Sequence, residues 1–374
     1  MGAERRSKNI HDPRRIPNPP IAKSSKKIDA ATVTKRKKTT DVVPASKGKQ
    51  VVEAEAEEDQ LPVKKQDPKF LVKFPPTHPI RYASYMNHNI KKDLEDKLTE
   101  RQQQLFSKTI FGKYLQMQHC EVQGQLFRCL MVRELKKSTP DAFVIDINGT
   151  ELTFSLFEFA LMSGLKCYGE EIVFNEGKNG LLEKYFGGSK KSVKKMELNE
   201  CFNDKNWGVD DDADQDALKI AVLYFIHNYI LSGEKRNVVI PRLHFDLVDS
   251  GRYKDYTWGK EAFVDLIKSI HNKMDKPKQY YCLRGFPFAI QAWLYECCSN
   301  VDPDLAVRNG DRIPRILNWK TVDPTPSFNH LMTGMFKDDV SEVYAELKDL
   351  RKAMDAKFDK VFDLIKGHQT SEKV

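Results

Sequence analysis

The sequence lacks the cysteine pairs that mark a disulfide scaffold or a structural zinc site. Its seven cysteines are odd in number and scattered, and none forms a CxxC motif with another. Proteins that depend on disulfides or zinc repeat such pairs at short spacings. We therefore expect free, reduced thiols, as in a protein of the cytosol or the nucleus.

Long apolar runs are also missing. The longest one spans Ile220–Ile226, whereas a helix that crosses a bilayer needs about 20 apolar residues. The first residues contain no apolar segment of the kind that a secretory leader requires. We expect a protein that neither crosses a membrane nor enters the secretory pathway.

Aromatic residues are scarce over residues 1–69, which are rich in lysine, arginine, proline, serine and glutamate. Such a segment buries too little apolar surface to offset the entropy of ordering, so we predict a disordered tail. Residues 1–50 hold 14 Lys/Arg and 4 Asp/Glu, whereas the chain as a whole has a net charge of +8. The positive charge therefore belongs to the tail, and the globular part need not bind polyanions.

A compact basic cluster within this tail consists of Lys35, Arg36, Lys37 and Lys38. Import receptors recognise short Lys/Arg runs, so the cluster is a candidate nuclear-import signal. Two alternatives stay open: a solvated tail without an address, and a loose contact with DNA or RNA that weakens as salt rises. We expect a nuclear location, with the cytoplasm as the alternative.

The motifs of phosphate and calcium loops are incomplete. The GGSK segment at Gly187–Lys190 does not have the GxxxxGK[ST] spacing of a P-loop. The acidic run Asp210–Asp216 lacks the glycine and the final glutamate of an EF-hand, and it suits a helix N-terminus better. His227 lies near the end of that helix, where a structural role is the usual one. We predict no cofactor and no metal ion.

The stretch 142–164 is the most informative part of the sequence. Asn148-Gly149 is the pair that a type I′ turn prefers, and a two-residue turn sets the register of a β-hairpin. That register places one apolar face toward the core, formed by Phe143, Ile145, Ile147, Leu152 and Phe154. Ser155 and Glu158 then form a capping box for a buried helix that ends at Gly164.

The other face of this hairpin carries two carboxylates, Asp146 and Glu151, directly opposite each other. Like charges in that position cost stability, so a counter-cation is conceivable. A metal site needs several convergent ligands, and none is evident in the sequence. We interpret the pair as a solvated face.

The last part of the chain has a helical apolar repeat with 3-4 heptad spacing, interrupted by Lys357. The repeat consists of Val340, Val343, Leu347, Leu350, Met354, Val361 and Leu364. Sustained spacing of this kind is typical of a coiled coil. We predict that these seven residues mediate self-association or bind a protein partner, with packing on the chain's own domain as the alternative.

The sequence as a whole predicts an α+β fold that is mainly α-helical, with one compact domain over residues 70–320. This domain contains the small antiparallel β-hairpin and an amphipathic helix from about Ile90 to Leu105. The disordered tail (1–69) precedes it, and a linker (321–336) connects it to the C-terminal amphipathic, coiled-coil-like helix (337–366).

Several segments together resemble one family. They are TIFGKYL, FVIDINGTELTFSLFEFALMSGLKC, LLEKYFGG, DALKIAVLYFIHNYILSG, YTWGKEAF, LRGFPFAIQAWLYE and RIPRILNW. In this order they resemble the plant domain of unknown function nineteen-eighty-five over about Phe106–Lys320. The resemblance implies a transposon-derived plant protein, and many relatives carry a SUMO-specific cysteine protease further along the chain. It implies no catalytic residues for this domain.

A protease of that kind needs His, Asp, Gln and a Cys in an Asp-Cys-Gly setting. Gln291 and Cys297 have a suggestive separation, but Cys297 lies between Glu296 and Cys298 and no glycine follows. A nucleophilic cysteine needs an activating base and exposure, whereas this segment is apolar and helical. We predict core cysteines, and we expect the chain to end too early for a second catalytic domain.

The leading hypothesis is a nuclear, non-enzymatic protein-interaction module of transposon-derived origin that assembles through its last helix. The first alternative is a protein that contacts nucleic acid through its basic tail. The second is a cryptic hydrolase that uses Cys297, or His244 with Asp246, although no recognised motif supports it.

Overall fold

The computed structural model describes the chain from Lys69 to Ser371, with gaps. The gaps are residues 74, 76–79, 171, 174–177, 190, 205–206, 208–209, 234–236, 275–277 and 338–339. Side chains are described as far as residue 360, except residue 358. The cluster Lys35–Lys38 lies outside the described residues.

Helices dominate this part of the chain. They are α1 (Ile90–Lys97), α2 (Glu100–Ser107), α3 (Gly124–Val132), α4 (Leu156–Ser163), α5 (Gly180–Tyr185), α6 (Lys195–Asp204), α7 (Asp211–Phe225), α8 (Arg242–Asp249), α9 (Trp258–Ile270), α10 (Pro287–Cys297), α11 (Phe328–Thr333) and α12 (Glu342–Ser371). Helix α7 continues directly into a π-helical turn over Ile226–Ile230. Short 3₁₀ turns occupy Gly112–Gln116, Arg252–Lys254 and Arg315–Asn318.

The strands of the described residues are short and pair two by two. They are β1 (Arg81–Ser84), β2 (Ala142–Ile147), β3 (Thr150–Ser155), β4 (Tyr280–Leu283), β5 (Ala306–Arg308) and β6 (Trp319–Thr321). β1 pairs with β4 in parallel, whereas β2–β3 and β5–β6 are antiparallel. The predicted α+β, mainly helical fold is confirmed, although the β1–β4 and β5–β6 pairs were not predicted.

The β2–β3 hairpin has the predicted register. Its apolar face pairs Ile147 with Thr150, Ile145 with Leu152 and Phe143 with Phe154. Asn148 and Gly149 have φ angles of 48° and 88°, as a type I′ turn requires. The five apolar residues predicted for this face are all buried, so the hairpin covers the core as expected.

Helix α4 begins and ends where the sequence predicts. Ser155 Oγ accepts a hydrogen bond from Phe157 N at 3.2 Å, and Glu158 Oε2 accepts one from Ser155 N at 2.7 Å. These contacts complete the capping box. Gly164 ends the helix in the left-handed region at a φ of 68°, and a Cβ there would come within 2.7 Å of the Pro314 ring. Both the turn and the close contact therefore require glycine.

The single helix predicted over Ile90–Leu105 is wrong at its centre, because α1 ends at Lys97 and α2 begins at Glu100. Thr99 caps α2: its side chain accepts from Gln102 N at 3.3 Å, and Gln102 Oε1 accepts from Thr99 N at 3.1 Å. This second capping box stabilises a new helix start. The apolar spacing continues across the break, so periodicity alone did not reveal it.

Helix α10 lies at the centre of the core, and every one of its residues is buried. It contacts α4 and α12. The ring of Phe154 in β3 lies 5.1 Å from the ring of Trp293 in α10 and 6.2 Å from that of Phe263 in α9. The apolar face of the hairpin therefore packs against α9 and α10.

The stretch 321–336, predicted as a linker, contains α11, which packs against α3. Leu331, Met335 and Phe336 are buried in the core. The guanidinium of Arg128 in α3 lies 4.3 Å from the centre of the Phe328 ring. These contacts attach the stretch to the rest of the domain.

We expect Phe154→Ala to lower the free energy of unfolding by about 3–5 kcal/mol, because it removes a fully buried ring from between α9 and α10. Thr150→Ala, at an exposed position of the same strand, should change it by less than about 0.5 kcal/mol. Urea denaturation followed by tryptophan fluorescence measures both. Equal effects of the two variants would contradict the central role of the Phe154 ring.

Candidate functional site

The C-terminal helix carries the residues predicted for oligomerisation, and its first turns lie against the domain. Val340 pairs with Cys298 through an isolated β-bridge just before the helix. Val343 packs against the core, and Leu347 is only 4% exposed. Three of the seven predicted residues are therefore in contact with the chain's own domain.

The remaining four residues of the repeat are placed differently. Leu350 is 52% exposed, and Met354 is partly buried. The side chains of Val361 and Leu364 lie outside the described residues, although the helical backbone continues to Ser371. The described side chains from Asp355 onward are all exposed.

Polar contacts fix the first half of α12 to the hairpin and to α4. The hydroxyl of Tyr344 donates to the carbonyl oxygen of Glu151 at 2.9 Å. The guanidinium of Arg351 donates to Oε1 of the buried Glu158 at 3.1 Å. The anchor therefore lies in the first turns, and the described side chains that follow Met354 are exposed.

The acidic pair of the hairpin has two lysine partners. Asp146 is buried, and its Oδ2 lies 3.0 Å from Nζ of Lys69. Glu151 accepts a hydrogen bond from Nζ of Lys137. The solvated interpretation is wrong for Asp146, since a lysine neutralises it within the fold. In the part of the chain that the structure covers, no group of three or more His, Cys, Asp or Glu side chains is arranged to hold a metal ion.

A second candidate site is a chain of buried polar groups that the sequence did not reveal. His227 lies in the π-helical turn and His244 lies in α8, and Nε2 of the first is 3.2 Å from Nδ1 of the second. Nε2 of His244 lies 3.2 Å from Oε2 of Glu261 in α9. The hydroxyl of Tyr256 donates to the same oxygen at 3.2 Å. The three elements thus meet in one hydrogen-bonded row.

The partners determine the tautomers of this row. A carboxylate only accepts hydrogen bonds, so Nε2 of His244 carries a proton toward Glu261. In the neutral form of His244, Nδ1 is then the acceptor for the Nε2–H of His227. Nδ1 of His227 is consequently the unprotonated nitrogen, which in this arrangement can accept a hydrogen bond.

The row borders a cavity of about 290 Å³. Lys195, at the start of α6, lines the cavity and is buried. Burial lowers the pKa of Lys195 to about 8. Burial, together with the nearby His244 and Lys195, also lowers the pKa of His227 well below its usual value. The cavity therefore contains a lysine with a weakened hold on its proton and a neutral histidine.

A neighbouring cleft of about 430 Å³ shares Asp265 and Arg284 with this cavity. The cleft is also lined by Lys268 and Lys273, both of which are exposed. Burial, together with Glu261, raises the pKa of Asp265. The entrance region thus has more cationic than anionic side chains.

The residues considered for a hydrolase are not assembled into a catalytic row. Cys297 is fully buried, and burial beside Cys298, Glu158 and Glu296 raises the pKa of its thiol well above the usual value. A nucleophilic cysteine needs a lowered pKa.

The other hydrolase candidates have different partners. Gln291 accepts from Gln123 N at 2.8 Å and donates to the carbonyl of Glu121 at 2.9 Å, so its amide has a structural role. Asp246 accepts from Asn179 Nδ2 at 2.9 Å and from Arg242 Nε at 3.3 Å. His244 forms its contacts with His227 and Glu261 instead, so the proposed pairing of His244 with Asp246 does not occur among the described contacts.

The sequence did not predict the hydrogen-bonded row of His227, His244 and Glu261. His227 and His244 are 17 positions apart, and each is a single histidine in an apolar helix. The segment around Lys195 gives no signal of burial either, because three of the six residues from Val193 to Leu198 are charged. Pairing across three helices is a tertiary property that no spacing rule predicts.

The fold and these sites define a mainly helical domain organised around a β-hairpin. Residues 131–269 match the sequence model of the family described as Domain of unknown function (DUF1985). These residues are therefore similar to that family, and the predicted resemblance is confirmed over them. No curated protein and no solved structure matches the chain.

The family match covers the hairpin, α4, Lys195, His227, His244 and Glu261, and it ends before Arg284 and α12. The buried part of the cavity therefore lies within the residues that match the family model. Helix α12 lies outside the residues that match the family model. None of the helices in the described ranges is both long and apolar enough to cross a bilayer.

The lowered pKa of His227 predicts an acid-sensitive fold. The pKa of a histidine in an unfolded chain is about 6.5. Below that pH the unfolded chain binds a proton that folded His227 excludes, so the free energy of unfolding should fall by about 1.4 kcal/mol per pH unit from this group. Well above that pH, His227 is neutral in both the folded and the unfolded chain, so it does not make the free energy of unfolding depend on pH.

We expect His227→Gln to reduce the pH slope of stability between pH 6.5 and 5.5 by about that amount. Gln116→Asn, at an exposed position that does not titrate, is the control and should keep the slope of the original chain. Urea denaturation at a series of pH values measures it. Identical slopes in all three proteins would show that His227 takes up its proton without unfolding.

Proposed function

We propose that the chain is a protein-interaction module without enzymatic activity of its own, and that it assembles through the distal half of α12. The observation that supports this most is the division of the helix. Its first turns are anchored by Leu347, Tyr344 and Arg351, whereas Leu350 is 52% exposed and the described side chains from Asp355 onward are uncovered.

The proposed occupant of this surface is the same helix of a second copy of the chain. The apolar spacing continues beyond the anchor through Met354, Val361 and Leu364, and a heptad repeat is complementary to another helix with the same repeat. From Leu350 to Leu364 the helix extends about 21 Å at 1.5 Å per residue. A repeat of this length is short, so we expect a reversible association that depends on concentration.

We expect the triple variant Leu350→Gln, Val361→Gln, Leu364→Gln to be monomeric at concentrations where the original chain is dimeric, because it removes apolar residues from the repeat without changing the charge. The control replaces three exposed alanines of the same helix: Ala345→Gln, Ala353→Gln, Ala356→Gln. Light scattering coupled to size-exclusion chromatography measures the mass. A monomeric original chain, or an unchanged mass in the triple variant, would contradict the proposal.

The absence of an enzymatic activity is part of the proposal. It is supported by the burial and raised thiol pKa of Cys297 and by the structural partners of Gln291 and Asp246. A nuclear plant protein of transposon-derived origin is the setting that the basic tail and the family resemblance favour. The alternative function is contact with nucleic acid through residues 1–50, which the excess of lysine and arginine there supports.

A pair of variants distinguishes nuclear import from nucleic-acid binding as the role of the tail. Replacing Lys35, Arg36, Lys37 and Lys38 by alanine should move a fluorescent fusion from the nucleus to the cytoplasm if the cluster is an import signal. The control replaces Arg5, Arg6, Arg14 and Arg15, with the same loss of charge. Both variants should lose oligonucleotide affinity equally, and lose it more at low salt, if the tail binds by counterion release. An unchanged location in the first variant would remove the import role.

A further inference from the structure

We propose that the cavity between α6, the π-helical turn and α9 binds a small organic anion. Its carboxylate or phosphate head group would be held by Lys195 and Arg284, and its apolar body would lie against the apolar part of the lining. This site is independent of the assembly surface on α12.

The first argument is the unsatisfied charge of Lys195. The residue is 7% exposed and lines the cavity. Among the described residues no hydrogen bond engages its Nζ, and no carboxylate oxygen lies within 4.0 Å of it. An ammonium group withdrawn from water is costly unless an anion accompanies it. The cavity is the place from which such an anion can reach it.

The second argument concerns the acidic residues that line the same cavity. Glu261 is already engaged, since its Oε2 accepts from Tyr256 and lies beside His244. Asp265 has a pKa raised by burial and by Glu261, so its charge is itself disfavoured there. Neither carboxylate is therefore placed as a dedicated counterion for Lys195, and the arrangement favours an anion supplied from outside.

The walls and the entrance suggest the rest of the ligand. Leu231, Val238, Val239 and Pro241 form the apolar part of the lining. A volume of about 290 Å³ lies at the lower end of the range for small-molecule sites. Arg284, Lys268 and Lys273 at the neighbouring cleft are exposed and would attract an anion toward the opening.

The test uses the full chain and three probes of similar shape: benzoate, phenyl phosphate and the neutral benzyl alcohol. Calorimetric titration should show saturable binding of one or both anions and no comparable binding of the alcohol. The difference between benzoate and phenyl phosphate identifies the preferred head group. If the alcohol binds as well as the anions, or if neither anion binds saturably, the proposal fails.

Two variants assign the site. Lys195→Met keeps the aliphatic stem and should weaken anion binding by about tenfold or more, since it removes a charge-assisted hydrogen bond. Arg284→Met should weaken it less, because Arg284 is exposed. Lys92→Met, on the exposed face of α1, should leave it unchanged. Full affinity in Lys195→Met would contradict the assignment.

A second measurement does not depend on any variant folding. Acetylation of lysines in the original chain, followed by mass spectrometry, should proceed more slowly at Lys195 when the bound anion is present. Lys92 should react at the same rate with and without the anion. Unchanged acetylation of Lys195 at a saturating concentration of the anion would show that the probe binds elsewhere.

Discussion

The carboxylate of Glu158 lies inside the fold, and two elements far apart in the sequence share it. One oxygen accepts from the backbone nitrogen and the hydroxyl of Ser155, at 2.7 and 2.6 Å, and the other accepts from Arg351 at 3.1 Å. A buried carboxylate is stable only when such donors surround it. The carboxylate of Glu158 thus stabilises the start of α4 and also holds α12 against the domain. Because α4 follows the hairpin without a loop, that charge also fixes how β3 enters the core.

The two candidate sites differ in what holds them. The anchor of α12 connects side chains of that helix, which lies outside the residues that match the family, to Glu151 and Glu158, which lie inside them. The cavity at Lys195 depends on three helices and on the π-helical turn that carries His227. Turns of this kind are often found at functional sites, because they displace the side chains that follow from the regular helical pattern. The two candidate sites therefore rest on different elements of the fold.

Local chemistry predicted much of the fold. The hairpin register followed from Asn148-Gly149, and the limits of α4 followed from Ser155, Glu158 and Gly164, because each feature depends on residues a few positions apart. The break at Thr99 was missed although its capping box was equally local, since the apolar repeat across it suggested continuity. The burial of Asp146 beside Lys69 and the row from His227 to Glu261 depend on the tertiary arrangement. A sequence pattern contains no information on such partners when each is single and distant.

The parallel pairing of β1 with β4 has a consequence for how the chain is made. Tyr85, next to β1, and Tyr280 in β4 meet through their hydroxyls at 3.1 Å although they are 195 positions apart. During synthesis on the ribosome, β1 emerges long before β4. Until β4 is made, the backbone N–H and C=O groups of β1 form hydrogen bonds to water or to other parts of the chain. The hairpin, in contrast, can close as soon as it leaves the exit tunnel, because its strands are neighbours. We infer that the hairpin in the middle of the chain folds early. Strand β1 is then among the last elements to form its native contacts.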